Sequence, residues 1–321
     1  MRSGRRDAVL ITGVAGFIGS NLADRLVAEG YRVVGVDDLS QGVLEQVPST
    51  VEFHRLDVRS AALYPLLETV DVVFHLAAKN CISDCQTDPV ATASINVVGT
   101  ANVLEAARRA GTRKVVYAES SALYEGSAVL PTPEHEAAPE SFYAVSKQAA
   151  RYFAEAYARH HGMNLTALRY FCVYGPRQDY RRTIPPVMSA FILHLLRGVR
   201  PTIYGTGEKR RDFVYVDDVN DFHVQCLRDA RTDGRVFNLG SGESRSVREI
   251  FEAVRRLLGV DVEPAYAGDL PGEARETRAD ISAARALGWS PRVGLEDGLR
   301  RTIDHIRRHV LGAEATAWTS A

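Results

Sequence analysis

Along its first half the chain alternates short, continuous apolar runs with stretches whose apolar residues recur at helical spacing. Six runs read as strands: residues 8–12, 32–36, 51–56, 72–76, 114–119 and 164–170. Between them, residues 20–29, 89–110 and 143–161 carry the three-and-four spacing of amphipathic helices. Runs such as "DVVFHLAA" and "RKVVYAES" are apolar without alternation, as strands are when helices cover both faces of their sheet. The pattern predicts an α/β fold with a doubly wound parallel sheet of the Rossmann type.

The second half is less regular. A proline pair, Pro185-Pro186, precedes a helix predicted to run through Leu196. "RPTIYGTGEKRRDFVYVDDV" reads as a short strand, a glycine-rich turn and a second strand, and "RVFNLGSGES" as a strand returning towards the sheet. Residues 246–258, with Ser246 as N-cap, and 281–287 are predicted helices. The expected division is a sheet lobe (residues 1–180 and 211–240) and a smaller α/β lobe (181–210 and 241–311). Residues 312–321 lack periodicity and are expected to form a frayed tail.

Composition narrows the function classes. The 321 residues have a net charge of −1, so no global field draws nucleic acid or an anionic membrane surface. No stretch approaches the roughly 18 apolar residues of a membrane span. The first six residues lack an apolar signal core, and a cytoplasmic protein is expected. Cys81, Cys85, Cys172 and Cys226 are too few for a disulfide framework. Cys81 and Cys85 have no further His or Cys pair to complete a zinc set, so no metal is expected.

The first strand ends in "TGVAGFIGS", which sets Gly13, Gly16 and Gly19 between strand and helix. Such a turn lets backbone N–H groups approach a pyrophosphate at a helix N-terminus. The spacing is G-x-x-G-x-x-G, and only its strand–turn–helix setting makes it informative. Asp37 closes the next strand, where a carboxylate accepts both adenosine-ribose hydroxyls and repels a 2′-phosphate. NAD is therefore expected rather than NADP. Tyr143 and Lys147 begin a helical stretch, and their spacing sets both on one helix face. A phenol beside an ammonium and a nicotinamide's positive charge can act as a base near neutrality.

These residues, with "HLAA", "INVVGT", "ESSALY", "LRYFCVYGPRQ" and "FNLGSGES", resemble the NAD-dependent sugar-nucleotide epimerase/dehydratase branch of the extended short-chain dehydrogenases. The likeness runs from about Ala8 to Pro291. It implies a UDP-sugar substrate, no nucleic-acid or membrane partner, and a homodimer formed through a four-helix bundle by the helices at 89–110 and 143–161. It also implies cofactor contacts by Phe17 and Ile18, by Asp38 and Ser40, and by Asp57 and Val58 at the adenine. Leu76, Ala77 and Ala78 should flank the nicotinamide, with Asn96 and Tyr170 supporting that end. Ser120 should join Tyr143 and Lys147 in catalysis. Arg211 and Tyr204 should grip the nucleotide, with Asn80, Ser121, Cys172 and Glu273 also facing substrate.

Departures from the family pattern direct the choice of reaction. Ser120-Ser121-Ala122 stands where 4,6-dehydratases carry Thr-Asp-Glu, and Cys172 where epimerases carry Asn. Cys81, Glu119 and Lys79 become candidates for supporting catalytic roles. The set is most similar to the tunicamycin-type UDP-N-acetylglucosamine 5,6-dehydratase subgroup of nucleoside-antibiotic pathways. The expected reaction is 5,6-dehydration with hydride returned to C4. The alternative is a UDP-hexose or UDP-N-acetylhexosamine 4-epimerase; a non-catalytic NAD-sensing module is a third reading.

Overall fold

The computed structural model describes residues 7–182, 184–269 and 274–312. Of the expected tail at 312–321, Gly312 caps the final helical turn and the rest lies outside the described residues, as do residues 1–6 and Glu273. The strands, in chain order, are β1 (Ala8–Thr12), β2 (Arg32–Asp37), β3 (Glu52–Arg55), β4 (Val72–His75), β5 (Lys114–Ser120) and β6 (Leu165–Tyr170). They continue with β7 (Cys172–Tyr174), β8 (Thr202–Tyr204), β9 (Arg210–Tyr215), β10 (Val236–Leu239), β11 (Ser244–Ser246) and β12 (Ala265–Ala267).

Seven of them form one parallel sheet in the order β10-β6-β5-β4-β1-β2-β3. The six strands read from the sequence are all present and parallel, and β10 is the returning strand, paired with β6. The largely apolar character of the central strands follows from burial on both faces: every residue of β1, β4 and β6 is buried. Two apolar clusters lie on opposite sides of the sheet, one around Leu22, Phe74 and Phe222, the other around Leu10, Val103 and Leu104. The chain order reverses between β1 and β4, the switch point where open α/β sheets leave a crevice.

Local signals explain the helix boundaries. Ser246 caps the Val247–Leu258 helix through a reciprocal box with Glu249, and Gly259 ends it in the left-handed region. The predicted helix at 89–110 is one rod interrupted by a π-helical turn, Ser94–Val98, between Pro89–Ala93 and Gly99–Ala110. Periodicity could not show this, because one wide turn hardly disturbs the apolar stripe. The extra residue lets Asn96 reach the backbone of Lys79, as single π turns at functional sites often do. Two small sheets, β11-β9-β7 and β12-β8, complete the second half. Gly205 and Gly207 both turn at positive φ between β8 and β9.

Candidate active site

The crevice at the switch point is a cavity of about 810 Å³. Its floor is the turn after β1. Gly13 adopts φ +74 and hydrogen-bonds from its N–H to the Val36 carbonyl at 2.8 Å. A Cβ on Gly13 would lie 2.8 Å from the Ala77 backbone nitrogen, and one on Gly19 2.1 Å from the Gly13 carbonyl. Only hydrogen fits at either place. The Phe17–Ala28 helix starts here with no side chain capping its N-terminus, so its first N–H groups are available to an anion. On one side Asp37 turns its carboxylate towards this floor. It accepts from the N–H groups of Ala15 (3.0 Å) and Leu39 (2.9 Å), and burial pushes its carboxyl up from the ordinary value. Asp38 anchors Ser40 beside it, at 2.8 Å to the N–H and 2.6 Å to the hydroxyl. Asp57 and Val58 line the same end.

The other end is organised around His75. Thr100 donates its only hydroxyl proton to the Asn96 carbonyl (2.6 Å), so His75 Nε2 must donate to Thr100 (2.9 Å). Burial first, and Lys147 second, lower the imidazole pKa to about 3, so the ring is neutral and Nδ1 accepts from Thr12 at 2.8 Å. The Thr12 oxygen then receives the N–H groups of Leu76 (3.2 Å) and Ala77 (3.3 Å). Asn96 clamps the next residue twice, accepting from the Lys79 N–H at 2.8 Å and donating to its carbonyl at 2.9 Å. Its amide also donates to Ser146 (2.9 Å), whose hydroxyl donates to the Tyr143 carbonyl (2.7 Å). The wall at 76–79 and the helix bearing Tyr143 are thereby joined through buried hydrogen bonds.

Tyr143 and Lys147 both line the cavity, one turn apart on the Phe142–His161 helix, which Ser141 caps. Lys147 donates to the Ala118 carbonyl at 3.0 Å. Burial lowers its pKa to about 8, with Glu119 acting against that fall. Burial raises the Tyr143 phenol to about 12, while a hydrogen bond with Ser120 and the charge of Arg182 pull it back. Ser120 is the last residue of β5, and its oxygen also accepts the Ala122 N–H at 3.1 Å. The expected trio of Ser120, Tyr143 and Lys147 therefore converges, with half-buried Ser120 hydrogen-bonded to Tyr143.

The three supporting candidates, Glu119, Lys79 and Cys81, all line the cavity, and of them Glu119 is held by a buried counter-ion. Glu119 faces Arg169 across the β5–β6 register; its carboxylate accepts from Arg169 Nε at 2.6 Å and from the Tyr117 hydroxyl at 3.1 Å. Arg169 is fully buried and also donates to Tyr124 and to the carbonyls of Glu134 and Glu136. Glu119 thus neutralises an interior cation, a job that fixes it in place. Lys79 lies 3.9 Å from Asp88, and Cys81 sits 3.1 Å from the Ser83 hydroxyl at the start of a short helix. Lys79, Asn80, Cys81 and Tyr170 all line the cavity. Ser121, Cys172, Tyr204 and Arg211 are not among its described lining residues. Tyr204 is exposed on β8, Cys172 pairs with Phe213 between β7 and β9, and Arg211 Nη1 donates to the carbonyls of Arg210 (2.9 Å) and Ala274 (2.8 Å).

Several lining residues had no sequence signal of their own. The loop through Gln41 and Gln46, the segment from Arg177 to Arg182, and His305 and His309 near the end of the chain all reach the cavity. Arg177 and Gln178 belong to the "YGPRQ" run that carried the family resemblance, but no site role followed from it, and nothing in the pattern pointed to the histidines. No group of three or more His, Cys, Asp or Glu that could hold a metal occurs among the described residues, nor any helix long and apolar enough to cross a membrane.

Comparison with known proteins agrees with this geometry. Residues 9–240 match the model of the NAD dependent epimerase/dehydratase family. A UDP-glucose 4-epimerase of Mycolicibacterium smegmatis is 39% identical over 308 residues, covering 93% of this chain and 98% of the relative. A UDP-N-acetylglucosamine 4-epimerase of Methanobrevibacter ruminantium, solved with UDP-N-acetylmuramic acid, superposes with a TM-score of 0.91 at 29% identity, over 96% of this chain and 100% of that one. A UDP-glucose 4-epimerase of Thermus thermophilus, solved with NAD, gives 0.88 at 34% identity, over 94% and 100%.

Proposed function

The chain belongs to the NAD-dependent epimerase/dehydratase family, with NAD as its cofactor, and from that premise we propose that it is a UDP-sugar 4-epimerase. The observation that carries this reading is the buried Tyr143–Lys147 pair, with Ser120 at the Tyr143 phenol, beside a glycine cradle that fits a dinucleotide. The Asp37 carboxylate, with a backbone cradle too tight for any Cβ, matches a ribose and a pyrophosphate.

Bound NAD supplies hydride acceptance from the sugar C4 and hydride return to it. The protein's own groups do the rest. Tyr143 takes the proton of the 4-hydroxyl, with Ser120 hydrogen-bonded to its phenol, and gives it back when the alcohol re-forms. Lys147, charged below about pH 8, adds a positive field that favours the phenolate. If the 4-ketone turns its opposite face before the hydride returns, the product is the C4 epimer. No group beyond this set is required.

Dehydration asks for more, and so the alternative named from the sequence becomes the main reading. Loss of the C6 hydroxyl needs a base at C5 and an acid at C6. Glu119 is committed to Arg169, while Lys79 and Cys81 lean on Asp88 and Ser83. The relatives described above carry epimerase names. UDP-glucose and UDP-N-acetylglucosamine are the substrates to test. Each product should be isobaric with its substrate, and deuterium at C4 should remain at C4. Loss of one water with vinyl proton signals at C6 would restore the 5,6-dehydratase reading.

A homodimer fits the same structure. The helical face expected to build a four-helix bundle exposes Val90, Val98, Val145, Tyr152 and Phe153. Sedimentation of the purified chain at twice its monomer mass is the expected result.

A further inference from the structure

Gly175 and residues 177–182 line the cavity, and the segment is pinned on both of its banks. On one bank the Asn21 amide donates to the Pro176 carbonyl at 3.1 Å, and Arg177 pairs with Asp24 at 2.6 Å. Both partners lie on the helix that begins at the glycine turn. On the other bank, Arg181 Nη2 donates to the Gln41 carbonyl at 2.8 Å. Gln41 lies next to Ser40, beyond Asp37 and Asp38, in the loop that Val43 ties to the Ala15 carbonyl. Between these ends Gln178 is held by the Val173 carbonyl (2.8 Å) and the Ser189 hydroxyl (2.7 Å).

Arg177 carries two further marks. It is a non-glycine residue at φ +69, a conformation that L side chains rarely adopt and that persists where the surroundings enforce it. Its Nη1 is buried and has no hydrogen-bond partner among the described residues, although the side chain lines the cavity. A buried guanidinium donor without an acceptor is costly unless a ligand supplies one. The cavity's expected occupant offers such acceptors in its pyrophosphate, beside the uncapped helix start.

We propose that residues 175–182 form a strap that retains NAD, with Arg181 clasping the Gln41 bank and Arg177 donating from Nη1 to the dinucleotide's pyrophosphate. The strap lies outside the glycine motif and gives the cofactor a second set of contacts. Leaving the groove then requires breaking the Gln41 clasp and the Arg177 contact together.

The test uses holoenzyme loaded with radiolabelled NAD and chased with excess unlabelled NAD. Arg177→Gln and Arg181→Gln should each release label about tenfold faster or more, the scale of one lost charge-assisted hydrogen bond. Arg177→Gln should also weaken ADP-ribose, which keeps the diphosphate, while leaving adenosine within about twofold. Arg177→Lys, which keeps the charge, should recover part of the ADP-ribose affinity. Circular dichroism and melting of the NAD-stripped forms establish that the variants fold. Label release within about twofold of the parent in either Gln variant overturns the strap. Equal loss of adenosine and ADP-ribose affinity in Arg177→Gln overturns the pyrophosphate contact.

Discussion

Replacing Gly19 by alanine puts one methyl group where the structure has no room. The added carbon would lie 2.1 Å from the Gly13 carbonyl oxygen, 2.9 Å from the Gly13 carbonyl carbon and 3.0 Å from the Val14 Cα. All three obstacles are backbone, so no rotamer change relieves them. Ordinary carbon–oxygen contact needs more than 3 Å, so the turn and the helix must part by about 1 Å. Overpacking of this kind costs about 1–3 kcal/mol, and a clash confined to backbone belongs at the upper end. The same shift would misalign the N–H groups that open the Phe17–Ala28 helix. Two charge-assisted hydrogen bonds at about 1.5–3 kcal/mol each correspond to NAD binding weaker by about a hundredfold or more. Gly111→Ala is the control: nothing lies within 4 Å of an added Cβ there, although Gly111, unlike Gly19, sits at positive φ. It should cost only the left-handed penalty of about 1–2 kcal/mol and leave NAD in place. NAD per protomer is read by chromatography after denaturation, and stability by urea titration of stripped protein. Stoichiometric NAD and a parent-like midpoint in Gly19→Ala would refute the reasoning.

Tyr143→Phe should retain NAD and fold but lose turnover by about a hundredfold to ten-thousandfold, the usual share of a general acid–base group; more than a tenth of parental rate would remove Tyr143 from its role. Glu119→Gln leaves the fully buried Arg169 without its counter-ion, which typically costs about 3–5 kcal/mol; an unchanged urea midpoint would contradict the ion pair. His75 and His223 are held at about 3, mainly by burial, against an ordinary value of 6.5. Between those values the unfolded chain binds protons that the folded chain does not, so their contribution is complete above pH 6.5 and declines as acid is added. The decline is at most about 1.4 kcal/mol per pH unit for each ring. Urea midpoints at pH 5 should fall below those at pH 7, and equal midpoints would speak against neutral burial.

The sequence by itself determined the sheet and the cofactor. Strands buried on both faces are predominantly apolar, so β1, β4 and β6 stand out as near-continuous apolar runs despite Thr12, His75, Thr166 and Arg169. Gly13 and Gly19 are legible because the clash that forbids a side chain is with backbone only a few residues away or at the adjoining strand end. Tyr143 and Lys147 share a helix face, which is a local property too. What the tertiary structure decided concerns partners distant in the chain. Glu119 looked available until the β5–β6 register set it against Arg169, 50 residues on. Asn96 reaches Lys79 through a π turn that leaves the hydrophobic period almost unchanged. Arg181 meets Gln41 across 140 residues, and His305 joins the cavity from near the end of the chain. Such contacts depend on how loops are laid over the sheet, and loop polar residues carry no periodic signature. Short-range sterics and burial write themselves into the sequence. The electrostatic state of a side chain is fixed by whatever charge the fold brings beside it.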